Sequence, residues 1–122
     1  DVVYMGGTTS MAVGQIYHYN SGGAWELADA NAVATSDGLL AVALGAASDT
    51  NGMLLRGMVT LDHDPGSRGD VLYLSVATTG LASATVPTGN NDIVRVIGYQ
   101  VNADTGNKIW FNPDNTFVEV TA

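Results

Sequence analysis

The sequence predicts an all-β fold, a small barrel or sandwich made of two similar halves. Turn signals separate short β-branched and aromatic runs at intervals of roughly eight to twelve residues, the pattern of sandwiches and barrels. One run, residues 39–44, is almost continuously apolar, as in a strand buried on both faces. The chain also repeats itself. Gly14-Gln15-Ile16-Tyr17-His18-Tyr19-Asn20 and Gly69-Asp70-Val71-Leu72-Tyr73-Leu74-Ser75 share a glycine, a polar residue and a β-rich run, 55 residues apart. The same shift lays Leu39-Leu40-Ala41-Val42-Ala43 on Val94-Arg95-Val96-Ile97-Gly98, and Met53-Leu54-Leu55-Arg56 on Lys108-Ile109-Trp110-Phe111. Such periodicity is read before any single motif, because a missed repeat miscasts the fold. It divides the chain into an N-terminal arm, residues 1–13, and one β domain, residues 14–122, with half-repeats 14–61 and 69–120.

Val2-Val3-Tyr4-Met5 opens the chain and loosens into Gly6-Gly7-Thr8-Thr9-Ser10. This is either a first strand or an apolar tip on a flexible connector, suited to pairing with a neighbouring subunit. Residues 16–19 and 24–28 flank Asn20-Ser21-Gly22-Gly23 as a hairpin, with Trp25 and Leu27 on a buried face and Glu26 outward. Residues 29–37 are Ala-rich without a 3.6-residue period and read as an irregular excursion. After the run at 39–44, Asn51-Gly52 signals a hairpin into a strand over 53–61, where Gly57 marks a bulge or a close backbone approach. Asp62-His63-Asp64-Pro65-Gly66-Ser67-Arg68 is the sharpest break and separates the halves. Strands at 71–76, 81–86 and 93–101 follow, then a polar turn at 102–107 and a closing hairpin of 108–111 with 117–120.

At 122 residues the chain is one domain able to bury a core without staples, and it has no cysteine. It opens at Asp1 without an initiator methionine, as a processed or excerpted chain would, and shows no signal-peptide pattern. Twelve acidic residues against four basic ones give a net charge of −8. That balance repels phosphate backbones and anionic lipid, so neither nucleic acid nor a membrane is an expected partner. Charged residues are only 13% of the chain, about half the usual share. A sheet surface so poor in charge is expected to be covered partly by neighbours.

Few constellations carry chemistry. Asp62-His63-Asp64 offers ligands two apart, but zinc needs three or four and the other histidine, His18, is distant in sequence. Asp49-Thr50-Asn51-Gly52, Asn90-Asn91-Asp92 and Asn102-Ala103-Asp104 carry calcium-type oxygens without the spacing of a calcium hand, and Asn and Asp are ordinary turn formers. Arg68-Gly69-Asp70 spells an adhesion tripeptide that the start of the repeated strand already explains. No Gly-x-Ser-x-Gly elbow is present, and a hydrolase would need a cleft holding His18 or His63 beside a carboxylate. No catalytic, cofactor-binding or metal-ligating residue is therefore assigned, and no cofactor. Arg56 and Arg95 stand among apolar strand residues and are candidates for intersubunit ion pairs. Trp25, Trp110, Tyr17, Tyr19, Tyr73, Tyr99, Phe111 and Phe117 could form a sugar-stacking platform, with Trp25 and Trp110 its leading candidates, although aromatics standing in strands more often serve a core or a subunit contact.

Gly69-Asp70-Val71-Leu72-Tyr73-Leu74, Leu81-Ala82-Ser83-Ala84-Thr85, Val94-Arg95-Val96-Ile97-Gly98-Tyr99 and the ending Lys108-Ile109-Trp110-Phe111-Asn112-Pro113-Asp114 with Phe117-Val118-Glu119-Val120 stand in one order. In combination, over roughly residues 12–121, they resemble the small β modules of tailed-bacteriophage virions, in particular head-decoration (capsid cement) proteins and modules of phage fibres. The resemblance implies a non-enzymatic virion structural protein, a homotrimer on the capsid surface or in an appendage, partnered by itself and by the major capsid protein or other virion proteins. Its contacts would then include Val2, Val3, Tyr4, Met5, Arg56 and Arg95. The alternative is a carbohydrate- or receptor-binding module of a tail or head fibre, with Trp25 or Trp110 exposed in a groove.

Overall fold

The period-two patterning resolves into two antiparallel five-stranded sheets in the computed structural model, which describes residues 1–101 and 107–121. In chain order the strands are β1 (Val2–Val3), β2 (Ile16–Tyr19), β3 (Trp25–Leu27), β4 (Leu40–Ala43), β5 (Met53–Leu54), β6 (Gly57–Thr60) and β7 (Val71–Leu74). Then come β8 (Ala82–Ser83), β9 (Ile93–Val94), β10 (Val96–Gln100), β11 (Lys108–Phe111) and β12 (Val118–Glu119). A 3-10 turn at Val33–Thr35 interrupts the Ala-rich excursion, and one α-helical turn, Ser48–Asn51, sits inside the β4–β5 hairpin. The first sheet runs β1-β5-β4-β2-β3 and the second β6-β11-β10-β7-β8, while β12 and β9 pair apart from both.

The two sheet orders correspond strand for strand, and β2 and β7 begin at Ile16 and Val71, one repeat length apart. At the shift of 55 the registers do not coincide: Ile16 faces Val42 in the first sheet, whereas Val71 faces Tyr99 and not Ile97 in the second, beside a bulge between Val96 and Gly98.

The division between the halves falls at Leu55-Arg56, not at Asp62–Arg68. The strand expected over 53–61 is two strands, β5 in the first sheet and β6 in the second, with Gly57 at φ +145° where the chain changes sheets. Residues 1–13 likewise belong to the first half. Val2 and Val3 pair with Leu54 and Met53 as that sheet's edge strand, and the segment after them crosses its outer face. There Met5 and Met11 pack with Tyr17, Trp25, Ala41, Ala43 and Met53, and the Ala12 amide donates to the Tyr17 hydroxyl at 2.8 Å. Every residue of β4 is consequently buried, as its unbroken apolar run requires.

Between the sheets lies the main core: Ile16, Leu40, Val42 and Leu54 from one, Leu72, Leu74, Ile97, Ile109 and Phe111 from the other. One edge of the sandwich is sewn shut at Gly80, whose amide donates to Ala28 O at 2.7 Å and whose carbonyl accepts from Ile16 N at 2.8 Å. A Cβ there would lie 2.5 Å from Leu27 Cδ2, so the approach requires glycine.

Three local expectations are corrected. Glu26 does not point outward but shares a face with its cross-strand partner His18, because the outer face of β3 is the one that buries Trp25. The strand over 93–101 breaks at Arg95, whose side chain turns inward. Strands β11 and β12 do not form a hairpin: Asn112 N and Asp114 N donate to Ile97 O and Val96 O, which folds 112–114 back on β10 and sends β12 to β9. The calcium-type group at 102–104 and most of the 102–107 turn lie outside the described residues.

Candidate functional site

Alternation along β7 and β11 of the second sheet sends Leu72, Leu74, Ile109 and Phe111 inward and their neighbours outward, while in β10 the bulge between Val96 and Gly98 lets Ile97 join the core and Tyr99, two residues on, face outward. Cross-strand pairing then aligns Met58 (β6), Trp110 (β11), Tyr99 (β10) and Val71 (β7) in one row on the outer face. They are 51%, 36%, 46% and 37% exposed, a contiguous apolar row across four adjacent strands. Scattered apolar exposure is normal on a protein surface, whereas a contiguous, aromatic-centred patch marks an interaction surface. The only charged residue in these four strands is Lys108.

Beside Tyr99 a shallow groove of about 330 Å³ runs between β10 and the 112–115 turn, lined by Val96, Tyr99, Asn112, Pro113, Asp114 and Asn115. The turn is rigid because its backbone is pinned to β10 and Asp114 Oδ1 accepts from Thr116 N at 3.0 Å. Neither the Asn112 nor the Asn115 side-chain amide makes a hydrogen bond among the described residues, so both present a donor and an acceptor to the groove.

The turn is held from beneath by Arg95. This residue is 2% exposed; its Nε donates to Asp114 O at 2.6 Å and its Nη1 to Ser36 O at 2.8 Å. Burial pushes the guanidinium below its ordinary value, and the carboxylates of Asp37 and Asp114 oppose that. Arg95 thus ties the 36–38 loop of the first half to the 112–115 turn of the second. It is not available for the intersubunit contact expected of it.

A second polar cluster lies at one end of the sandwich. The buried His18 has Nδ1 2.9 Å from Glu26 Oε2 and Nε2 3.0 Å from Asp37 Oδ1, at the floor of an open cavity of about 630 Å³. Satisfying both bonds takes two N–H donors or one protonated carboxyl. Ser21 also lines this cavity, but neither His18 nitrogen is free to accept its proton. His63 is similarly occupied, with Nδ1 2.7 Å from Asp62 Oδ1 and Nε2 accepting from Ala82 N at 2.9 Å. Neither imidazole is isolated in solvent, and each joins chain segments distant in sequence. Among the described residues no group of three His, Asp or Glu side chains is arranged to hold a metal ion. The carboxylates singled out in sequence are taken up locally or by the N-terminal segment: Asp92 Oδ2 accepts from Gly89 N and Asp70 Oδ2 from Ser67 N within turns, while Asp49 Oδ1 accepts from the distant Gly7 N.

Of the remaining candidates, Trp25 is buried beneath the N-terminal segment, with Nε1 donating to Met5 O at 3.0 Å and its ring 4.8 Å from Tyr19; it has no face left for a ligand. Trp110 stands in the exposed row. Val3 and Met5 pack on the first sheet, while Val2 and Tyr4 are exposed at its edge. Arg56 is open to solvent, and its Nη2 lies 3.5 Å from Asp1 Oδ2. Sequence reading grouped Tyr99 with Trp110 among the aromatics of a possible sugar platform but missed Met58 and Val71 on the same surface; the signal was the alternation of 108–111, which phases Trp110 opposite the buried Ile109 and Phe111. No family model, curated protein or solved structure matches the chain.

Proposed function

We propose that this chain is a non-enzymatic structural protein of a phage virion that decorates and stabilises the capsid surface as an oligomer. The observation that carries the reading is the bare apolar row of Met58, Trp110, Tyr99 and Val71 on a sheet otherwise nearly free of charge. Such a face gains by being covered, and a protein that binds only the assembled lattice stabilises it by mass action. The occupied histidines add support, since neither offers a base to a nucleophile. Antibody-gold labelling of virions that encode the chain tests it, together with sedimentation of the purified protein. Labelled capsids and a trimer are expected; unlabelled virions and a strict monomer at high concentration refute it.

A second reading, a glycan-binding module of a fibre, is favoured by one feature. The side-chain amides of Asn112 and Asn115, which make no hydrogen bond among the described residues, border a groove that Tyr99 also lines, and sugars combine hydroxyl hydrogen bonds with C–H faces that stack on aromatic rings. Its test is binding of neutral oligosaccharides, read at Tyr99 and Trp110.

A further inference from the structure

The two sheets answer to each other strand by strand, yet their outer faces meet different fates. In the first sheet the outer residues of β1, β5, β4 and β2 include Val3, Met53, Ala43 and Tyr17; the last three are buried and Val3 is half-buried. In the second sheet the corresponding strands β6, β11, β10 and β7 present Met58, Trp110, Tyr99 and Val71, all exposed. What covers the first face is the chain itself. The connection from β1 to β2 lies across it, with Met5 and Met11 in the cluster, Met5 O accepting from Trp25 Nε1 and Thr8 Oγ1 accepting from Trp25 N.

The corresponding connection in the second half, from β6 to β7, takes another path. Leu61 turns into the core between the sheets, His63 Nε2 accepts from Ala82 N, and Pro65 O accepts from Ala84 N. This connection is spent on the edge at β8, and the face it would have covered is left open.

We infer that the outer face of the second sheet receives an extended apolar segment of a partner protein, laid across Met58, Trp110, Tyr99 and Val71 as residues 4–13 are laid across the first sheet. The inference rests on reading the chain as a virion surface protein and names the chemistry of its partner. Size argues for a single segment. With about 150–250 Å² for a whole aromatic side chain, the four residues expose on the order of 300 Å², against about 800 Å² per partner in a stable protein pair. A flat pairing of two such faces is therefore too small, whereas one strand-like segment fits. Charge argues for its composition. Lys108 is the only charge in the four strands and the whole chain carries −8, so the segment bears aliphatic or methionine side chains and is not acidic.

The test uses the full chain, isotope-labelled for NMR, and a synthetic peptide copying residues 3–11 as the probe. Shifts are expected at Met58, Val71, Tyr99 and Trp110. A peptide with aspartate at both methionine positions should bind at least tenfold more weakly, as should the Tyr99→Ser chain. Met58→Ser, at the most exposed position of the row, keeps the test usable if Tyr99→Ser does not fold. Three results overturn the inference: no shift at millimolar peptide, shifts confined to Tyr17 and Trp25 through displacement of the resident segment, or neutral oligosaccharide moving the row while the peptide does not. Gold labelling reports separately on the virion reading. Labelled capsids with a silent peptide sink the inference alone, and peptide bound at the row with unlabelled virions sinks the virion reading alone.

Discussion

Replacing Arg95 by leucine removes the tie between the two halves. The side chain is fully enclosed and donates from Nε and Nη1 to the carbonyls of Asp114 and Ser36, so leucine leaves both acceptors without their partner. Hydrogen bonds from a charged donor contribute about 1.5–3 kcal/mol each, and a buried acceptor left unpaired costs a similar amount. Against this, the variant no longer desolvates a guanidinium, which returns part of the loss. The balance is a destabilisation of about 2–4 kcal/mol. With an unfolding entropy of about 2.1 cal/mol/K per residue, 3 kcal/mol lowers the Tm of a chain this size by about 12 °C. Urea unfolding followed by tryptophan fluorescence should show a lower midpoint with an unchanged slope. Arg95→Lys, which keeps the charge but loses the fork, should fall between the two. Because burial lowers the folded-state value of this base, the unfolded chain binds more protons between the folded and unfolded values, and stability from this group rises with pH across that window. Arginine stays charged in both states near neutral pH, so the deficit should be flat there. A loss of less than about 1 kcal/mol would show that the two carbonyls find other partners and that Arg95 is not what joins the halves.

Gly98→Ala should be costly, because a Cβ there overlaps the Trp110 carbonyl oxygen and lies 3.2 Å from Phe111 Cα. Forcing β10 from β11 is expected to cost about 2–3 kcal/mol in urea unfolding. His18→Ala should cost about 1–2 kcal/mol in the same assay, the low end of charged hydrogen bonds, since both carboxylates are partly exposed and rehydrate. Arg56→Ala should leave stability within about 0.5 kcal/mol, because its pairing with Asp1 is exposed on both sides. A larger effect in thermal melts would mean that the N-terminal edge strand depends on this pair.

Periodicity made the architecture legible. The buried run at 39–44 became β4 and the two glycine-led runs became β2 and β7. The boundary was misplaced because Asp62–Arg68 is loud in turn residues, whereas the change of sheet at Leu55-Arg56 needs only two residues and one glycine. Pairing partners were less legible than strands. The hairpin expected of 108–111 with 117–120 failed because two backbone bonds to β10 and one from the Arg95 side chain redirected the turn, and no local pattern encodes those. The candidate site was half legible. Trp110 was named and stands exposed; Trp25 carries the same local signal but lies under residues distant in sequence.

Each sheet is drawn from one contiguous stretch of polypeptide, so neither can keep its inward side dry alone. A fragment ending at Leu55 would carry five strands and their lid yet leave Ile16, Leu40, Val42 and Leu54 wet. Its simplest remedy is a twin, two fragments clasped face to face in place of the natural pair. Seen so, the Leu55-Arg56 junction is what turns an association between two bodies into the folding of one.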